Sequence, residues 1–282
     1  MKTYIECIGC LVKQSVEIAK AHIPEDKQDV FIRTILRRIS EIDYSNPPPI
    51  MATEMYSMVK DLTGITDPYA EIKNYYNQKA LNLYPEFTRL VASSDDPFET
   101  ALRIAVAGNI IDFGIGTKDS IQIRETVDRA LNARFAINHI RDLKERLAEP
   151  GQVLYLADNA GEIVFDRLFI EQLGPERVVC AVRHAPIIND ATLDDAKKVG
   201  LCDVCEVISS GSRAPGTPLD MCSDDFRDLF ESAQVVIAKG QGNFETLSQA
   251  SRDIFFLFMA KCPVISREAG VPVGSFIVMN QG

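Results

Sequence analysis

The chain has no tryptophan and only three histidines in 282 residues, and its 30 Lys and Arg are outnumbered by 40 Asp and Glu. A formal net charge of −10 counts against a general binder of nucleic acid or anionic membranes, because the phosphate contacts behind such binding need a basic surface. It leaves room for a small phosphorylated substrate, which needs only a local cluster of charge. Long apolar runs are absent too. The longest, around Ile254 to Ala260, fits a buried strand or helix and falls well short of the roughly 18 residues of a membrane span. The opening Met1-Lys-Thr-Tyr-Ile-Glu6 lacks the apolar centre of a signal peptide. Cysteine is scarce and odd in number: seven residues, mainly in apolar segments. That usage suggests a reducing, cytoplasmic setting rather than a disulfide framework. There is no internal repeat and no low-complexity segment. The missing tryptophan excludes nothing.

What is present is the composition of an ordinary soluble globular protein, 46% hydrophobic and 25% charged, long enough for one large core or two smaller ones. The first half reads as helices. Ile5, Ile8, Val12, Val16 and Ala19 fall at helical spacing, and Val30, Phe31, Ile35, Leu36 and Ile39 form a second stripe over Asp26 to Ile42. Asn46-Pro47-Pro48-Pro49 reads as a rigid extended loop. Helices are expected from Met51 to Leu62, Pro68 to Leu83, Pro85 to Ala92 and Pro97 to Ala107, with one or two more over 118–147. Beyond Pro150-Gly151 the texture changes. Short runs rich in Val and Ile at 153–157, 178–183, 204–208, 234–238 and 275–279 alternate with helical segments, and 255–260 and 263–265 are further strand candidates. Such alternation predicts a parallel sheet covered by helices on both faces. The expected layout is a helical domain over 1–95 and an α/β domain over 96–282.

The chemistry collects at the strand ends. The first strand leads into Asp158-Asn159-Ala-Gly161-Glu162, the second into His184-Ala-Pro-Ile-Ile-Asn189-Asp190, the third into Ser209-Ser210-Gly211-Ser212-Arg213, and the fourth into Lys239-Gly240-Gln241-Gly242-Asn243. Taken alone, Asp158 reads as a helix cap. If the strands are parallel, though, all four loops share one rim, where open α/β sheets bind ligands. Oxygen donors without a histidine cluster suit a hard cation such as Mg²⁺ or Mn²⁺ better than zinc. Lys239 on its Gly-flanked turn, the Ser210-Gly211-Ser212 turn and the helix start at Gly161 offer positive charge and backbone amides to an anion. Lys-Gly-Gln-Gly-Asn is not a Walker loop, having neither its spacing nor a Ser or Thr after the Lys. A metal and a lysine around a phosphate is the arrangement phosphoryl transfer needs.

These segments resemble a known family. DNAGE at 158–162, IINDAT at 187–192, SSGSRAPGTPL at 209–219 and KGQGNFETL at 239–247 are similar to the damage-control phosphatases (domain of unknown function 89). GNIIDFG at 108–114 and the Cys7-x-x-Cys10 opening look like the archaeal and bacterial branch of that family. The resemblance covers nearly the whole chain. It implies a helical domain joined to a three-layer α/β/α sandwich with a mostly parallel sheet, and a metal-dependent phosphatase acting on small phosphometabolites. By the same resemblance Asp158, Asn159 and Asp190 bind the divalent metal (Mg²⁺ or Mn²⁺, with Co²⁺ or Ni²⁺ as further candidates), and Lys239 contacts the phosphate. Amides and side chains of Gly161, Ser210, Gly211, Gly240 and Asn243 are expected around the substrate. Asn109 and Asp112 would reach it from the helical side, although Gly108–Gly114 also reads as a helix end and turn. Asp158 is then either the nucleophile or the orienter of an attacking water.

Several features have blander readings. Cys7 and Cys10 share a helix face and are candidates for a second metal or a redox role; a four-cysteine zinc site with Cys202 and Cys205 matches no short zinc module. His22 and His139 lack partners in the pattern, and His184 reads as a turn residue before Pro186. Tyr75-Tyr76 reads as packing. Glu162 and Glu245 either orient neighbours at the site or favour a helix N-terminus. Two other function classes compete with the phosphatase. An S-adenosylmethionine-dependent carboxyl methyltransferase would usually carry a Gly-rich loop after its first strand, where this chain has one glycine and an Asp-Asn pair. A non-catalytic metal- or metabolite-binding protein would need the rim but no turnover.

Overall fold

The computed structural model describes residues 1–109 and 120–281. Three helices open the chain, α1 (Ile5–His22), α2 (Glu25–Ser40) and α3 (Pro49–Thr63). Their apolar stripes meet in a core of their own, centred on Leu11, Ile18, Phe31, Ile35, Met55 and Val59. There follow α4 (Ala70–Ala92), α5 (Pro97–Gly108), α6 (Ser120–Asn132), the two-residue β1 (Ile137–Asn138) and α7 (Ile140–Ala148). Strand and helix then alternate through β2 (Val153–Leu156), α8 (Glu162–Ile170), β3 (Val178–Val182), α9 (Leu193–Lys198), β4 (Glu206–Ser209), α10 (Asp224–Ser232), β5 (Val235–Lys239), α11 (Gly240–Leu247), β6 (Ile254–Met259), α12 (Pro263–Ala269) and β7 (Phe276–Gln281).

The seven strands form one sheet in the order β1-β7-β6-β5-β2-β3-β4. From β6 across to β4 all pairs are parallel; β7 runs antiparallel to β6 and carries β1 on its outer side. Alternate side chains of a strand face opposite ways, and here both faces are covered. Tyr155, Cys180, Ile237 and Leu257 pack with α4, α5 and α8 through Phe87, Leu102, Phe165 and Phe169. Leu154, Ala181, Val236 and Phe256 pack with α10, α11 and α12 through Phe226, Phe230, Phe244 and Ile265. That is a three-layer α/β/α sandwich. Burial on both sides explains why the central strands read as continuous apolar runs. Among the described residues no helix is long and apolar enough to cross a membrane.

Four readings of the sequence are corrected. The Pro47–Pro49 segment is not extended throughout: α3 starts at Pro49, since a proline at the first helical position loses no hydrogen bond and already has helical φ. The segments expected as two helices on either side of Pro85 form one helix, α4. Pro85 removes one backbone hydrogen bond, but Leu83, Phe87 and Val91 are buried on either side of it, and their packing holds the helix through the break. Residues 263–265 open α12, with Pro263 at its start and the Cys262 Sγ accepting from the Ile265 amide at 3.5 Å. Ile137, read as a helical position, lies in β1, where it pairs with Ile277 of β7.

Candidate active site

Strand order decides where the site lies. From β2 the chain proceeds to β3 and β4 on one side, whereas β5 and β6 lie on the other. The loops leaving β2 and β5 therefore part at the middle of the sheet, the switch point where ligands bind in such folds. Asp158 lies two residues beyond the first of those strands, and Lys239-Gly240 stands at the end of the second. They meet closely: a Cβ built on Gly240, which has φ +79°, would fall 1.8 Å from Asp158 Oδ2. Only glycine lets the two strand ends pass at that distance. The loop after β3 is sewn to the loop after β2. The Ala191 amide donates to Asp158 O at 2.8 Å and the Ala160 amide to Asn189 O at 2.9 Å, and Asn159 and Asp190 form an antiparallel bridge. This pairing sets Asp190 beside Asp158. Two residues earlier, Ile188 adopts φ +45°, a conformation a β-branched residue rarely takes and one that local strain at functional sites often explains.

Asp158 does not cap the following helix. The cap position of α8 is Gly161, and the Asp158 carboxylate instead belongs to a buried network. Its Oδ2 accepts from Asn109 Nδ2 at 3.0 Å and from Asn159 Nδ2 at 2.8 Å. The same two amides reach Glu162 Oε2 at 3.3 and 2.9 Å. Glu162 Oε1 accepts from Lys239 Nζ at 2.8 Å, and the ammonium also donates to Ala105 O at 3.0 Å and to Asp166 Oδ1. Tyr155 Oη donates to that same Asp166 oxygen at 2.8 Å; Asp166 Oδ2 is buried with no partner among the described residues. On the other side Arg183 donates from Nε to Asp190 Oδ2 at 2.7 Å and lies 4.0 Å from Asp158 Oδ1. Asn243 ties the loops together: its Nδ2 donates to Lys239 O at 2.7 Å and its Oδ1 accepts from Thr217 Oγ1 at 2.7 Å.

Four carboxylic acids, Asp158, Glu162, Asp166 and Asp190, thus face two cations, Lys239 and Arg183. Burial penalises the charged form of each group, and here the acids hold the excess. The Asp158 carboxyl is raised well above the usual carboxylate range by burial and by the charges of Glu162 and Asp190, against which Arg183 pulls less strongly. Burial pushes Asp166 up to about 7, with Lys239 opposing. Asp190 is raised for the same reason, with Arg183 opposing. The surplus of hard oxygen donors fits a divalent cation, which would neutralise it. Among the described residues no group of three or more Cys, His, Asp or Glu is placed to hold a metal ion.

The other expected site residues fall into distinct places. Asn109, at the end of α5, is in the network. Asp112 lies outside the described residues. Lys239 is fully buried and its three donors are committed. The Gly161 amide donates to Asn77 Oδ1 at 2.5 Å. In the Ser210–Ser212 turn, the Gly211 amide is taken by Ser209 Oγ and the Ser212 amide by Ser210 Oγ. His184 Nδ1 lies 3.3 Å from that Ser209 hydroxyl. Cys7 and Cys10 are on α1 with free thiols, as are the other cysteines. Residues not anticipated are Arg183, Asp166, Tyr155 and a second buried network on α4. There Lys73 Nζ donates to Asp195 Oδ2 at 3.0 Å and pairs with Asp67 at 2.8 Å, while Asp195 caps α9 through the Thr192 amide and hydroxyl. With Asn77 bound to both Gly161 and Asp195, α4 braces the loops after β2 and β3 from behind. The available signal was an acid four residues after Glu162 in an otherwise apolar helix, and Lys73 and Asn77 in a buried stripe. The Lys261 charge is felt by both Asp158 and Glu245, which marks a further cation at the rim.

Glu245, on α11, is away from this network. Its carboxyl accepts from Gln241 Nε2 at 2.9 Å, and burial pushes it up to about 7. A carboxyl raised on folding favours the fold most below its unfolded value, about 4.3, and that contribution is lost as pH rises through 7. Glu245→Gln keeps the acceptor and removes the charge. The variant is expected to melt several degrees higher than the parent at pH 8 and no higher at pH 4; equal shifts at both pH values in thermal melts would contradict this origin.

Comparison with known proteins identifies the family. The family model of the damage-control phosphatase ARMT1-like domain matches residues 3–277. The damage-control phosphatase of Pyrococcus horikoshii is 34% identical, over 99% of this chain and 98% of that protein. That of Archaeoglobus fulgidus is 34% identical over 98% of each. The crystal structure of a domain-of-unknown-function-89 protein from Pyrococcus horikoshii superposes with a TM-score of 0.92 at 33% identity, covering the whole of both chains. The chain belongs to the damage-control phosphatase ARMT1-like family.

Proposed function

We propose that the protein is a divalent-metal-dependent phosphatase of small phosphorylated metabolites, sugar phosphates or damaged phosphometabolites, working in the cytoplasm and without a nucleic-acid or membrane partner. The observation that carries this reading is the buried excess of four acids over two cations at the switch point of the sheet. The relatives named as damage-control phosphatases supply the reaction class.

Asp158, Asn159 and Asp190 would hold Mg²⁺ or Mn²⁺. When bound, the ion supplies charge neutralisation for a phosphoryl group. The chain's own residues do the rest. Arg183 fixes Asp190 through Nε, and Asn109 fixes Asp158 Oδ2. Lys239 balances Glu162 and Asp166 beneath the site, and a phosphate contact by its Nζ would come in exchange for one of its present acceptors. Gly240 lets the Asp158 carboxylate pack against the end of β5, where any side chain would strike it. Asp158 acts as nucleophile or as orienter of water.

Hydrolysis of p-nitrophenyl phosphate with Mg²⁺, Mn²⁺, Co²⁺ or Ni²⁺, before and after chelation, tests the reading. Turnover that chelator abolishes and metal restores is expected. No turnover on a broad panel of phosphate esters, or turnover indifferent to chelator, would overturn it.

A further inference from the structure

Ile187, Ile188, Asn189 and Asp190 form a four-residue turn, closed by the Asp190 amide donating to Ile187 O at 3.0 Å. Ile188, its first central residue, has φ +45° and is the one non-glycine among the described residues with positive φ. Positive φ at that position alone is the pattern of a type II′ turn, where glycine is the usual occupant. A β-branched residue there is disfavoured by a factor of roughly 5–150. Something must offset that strain.

The two ends of the turn are held by different parts of the fold. The strand-end loops hold the stem: Asn189 O accepts from the Ala160 amide at 2.9 Å, the Ala191 amide donates to Asp158 O at 2.8 Å, and Arg183 Nε donates to Asp190 Oδ2 at 2.7 Å. The tip lies against the N-terminal helices. Ile187 is buried in the core it shares with Phe31, Ile35, Met55 and Tyr56, and Ile188 packs on the same core. Ile187 borders one small cavity with Thr53 and Tyr56 of α3, and Ile188 borders another with Leu11 and Gln14 of α1. Burial and Tyr69 raise the Tyr56 phenol and the Asp190 charge adds to the rise, which puts that carboxylate within electrostatic reach of α3. The stem contacts begin only at Asn189. Full burial of an isoleucine side chain is worth roughly 10- to 150-fold, the same range as the strain, so the seat of Ile187 suffices to hold the turn.

Resting on the reading of Asp190 as a ligand of the divalent cation, we infer that Ile187 is a positioning residue for that site. Seated in the core of α1–α3, it holds Ile188 at positive φ and so keeps Asp190 beside Asp158. The three helices contribute no side chain to the acid cluster, yet they set part of its geometry.

The test separates holding the turn from merely filling the core. Mn²⁺ affinity is measured by electron paramagnetic resonance in the parent, Ile187→Ala, Ile188→Gly and the double variant. Ile187→Ala frees the turn to relax and is expected to bind Mn²⁺ at least tenfold more weakly. Glycine takes positive φ without strain, so Ile188→Gly alone should bind within threefold of the parent, and the double variant should recover to within threefold as well. Glycine at 188 does not refill the space left by Ile187, so a loss caused by poorer packing alone would persist in the double variant. Unchanged affinity in Ile187→Ala, or a loss that Ile188→Gly does not restore, would overturn the inference. Should Ile187→Ala not fold, Ile187→Val is read by the same rule, with a loss of at least threefold. If the parent binds no Mn²⁺, the cation reading fails by itself. The positioning role is then judged by hydrogen exchange of the Asp190 amide: exchange at least tenfold faster in Ile187→Ala and restored in the double variant upholds it, and any other order overturns it.

Discussion

Asp158→Asn is expected to lower metal-dependent phosphatase turnover on the order of 10³-fold, the scale seen when a preorganised electrostatic partner is removed from an active site. The same variant should be at least as stable as the parent when metal is absent. The reason lies in the charges around it. Burial, then Glu162 and Asp190, raise the Asp158 carboxyl far above its ordinary range, so its ionised form opposes folding. The sign follows: the contribution of a raised carboxyl is full at low pH and is lost as pH rises. Asparagine keeps an acceptor for Asn109 and Asn159, whose Nδ2 atoms lie 3.0 and 2.8 Å from Asp158 Oδ2, and cannot ionise. The variant should thus gain in melting temperature at pH 8 and not at pH 4. Loss of activity with gain of stability is the mark of a residue kept for function. Full turnover in Asp158→Asn, or a fall in melting temperature at pH 8, would contradict the assignment.

Lys239→Met is expected to be the most destabilising of the single changes considered. The ammonium is completely buried, bound by Glu162, Asp166 and the Ala105 carbonyl. Methionine keeps the reach of the side chain and removes the charge, leaving two buried carboxylates without their cation. Breaking a buried pair from one side costs about 3–5 kcal/mol, a fall of roughly 6–20 °C in melting temperature for a chain of this size. Part of that cost should be absent at low pH, where Asp166 is neutral in any case. An unchanged melting temperature with a raised KM would instead assign the ammonium to direct phosphate contact.

Lys239 also shows how far the sequence could be read. Its place at the end of a strand was legible, and from that place it was expected at the phosphate. The direction of its side chain was legible as well, by alternation. Val235, Ile237 and Lys239 share a face, and the first two pack in the layer that holds α8, so the lysine points beneath the rim towards Glu162 and Asp166. What no local pattern reveals is that those acids wait there, because strand order and helix placement are settled by long-range packing. The same holds for Arg183, which simply ends an apolar run until the loop after β3 turns Asp190 back onto it. Asp158, Asn159 and Asp190 were easier, since parallel strands bring their carboxyl ends to one edge whatever their order. The misread prolines are the opposite case. Pro49 and Pro85 read locally as breaks and Pro263 as part of a candidate strand, and a helix start or a well-packed helix interior accommodated each of them.

The most direct test of the account is titration with Mn²⁺ followed by electron paramagnetic resonance, in the parent protein, Asp158→Asn and Asp190→Asn, with no substrate and no assay of turnover. Tight Mn²⁺ binding is predicted in the parent, weakened at least a hundredfold in each variant. Binding of equal strength in all three proteins would contradict the placement of the cation at the Asp158–Asp190 cluster.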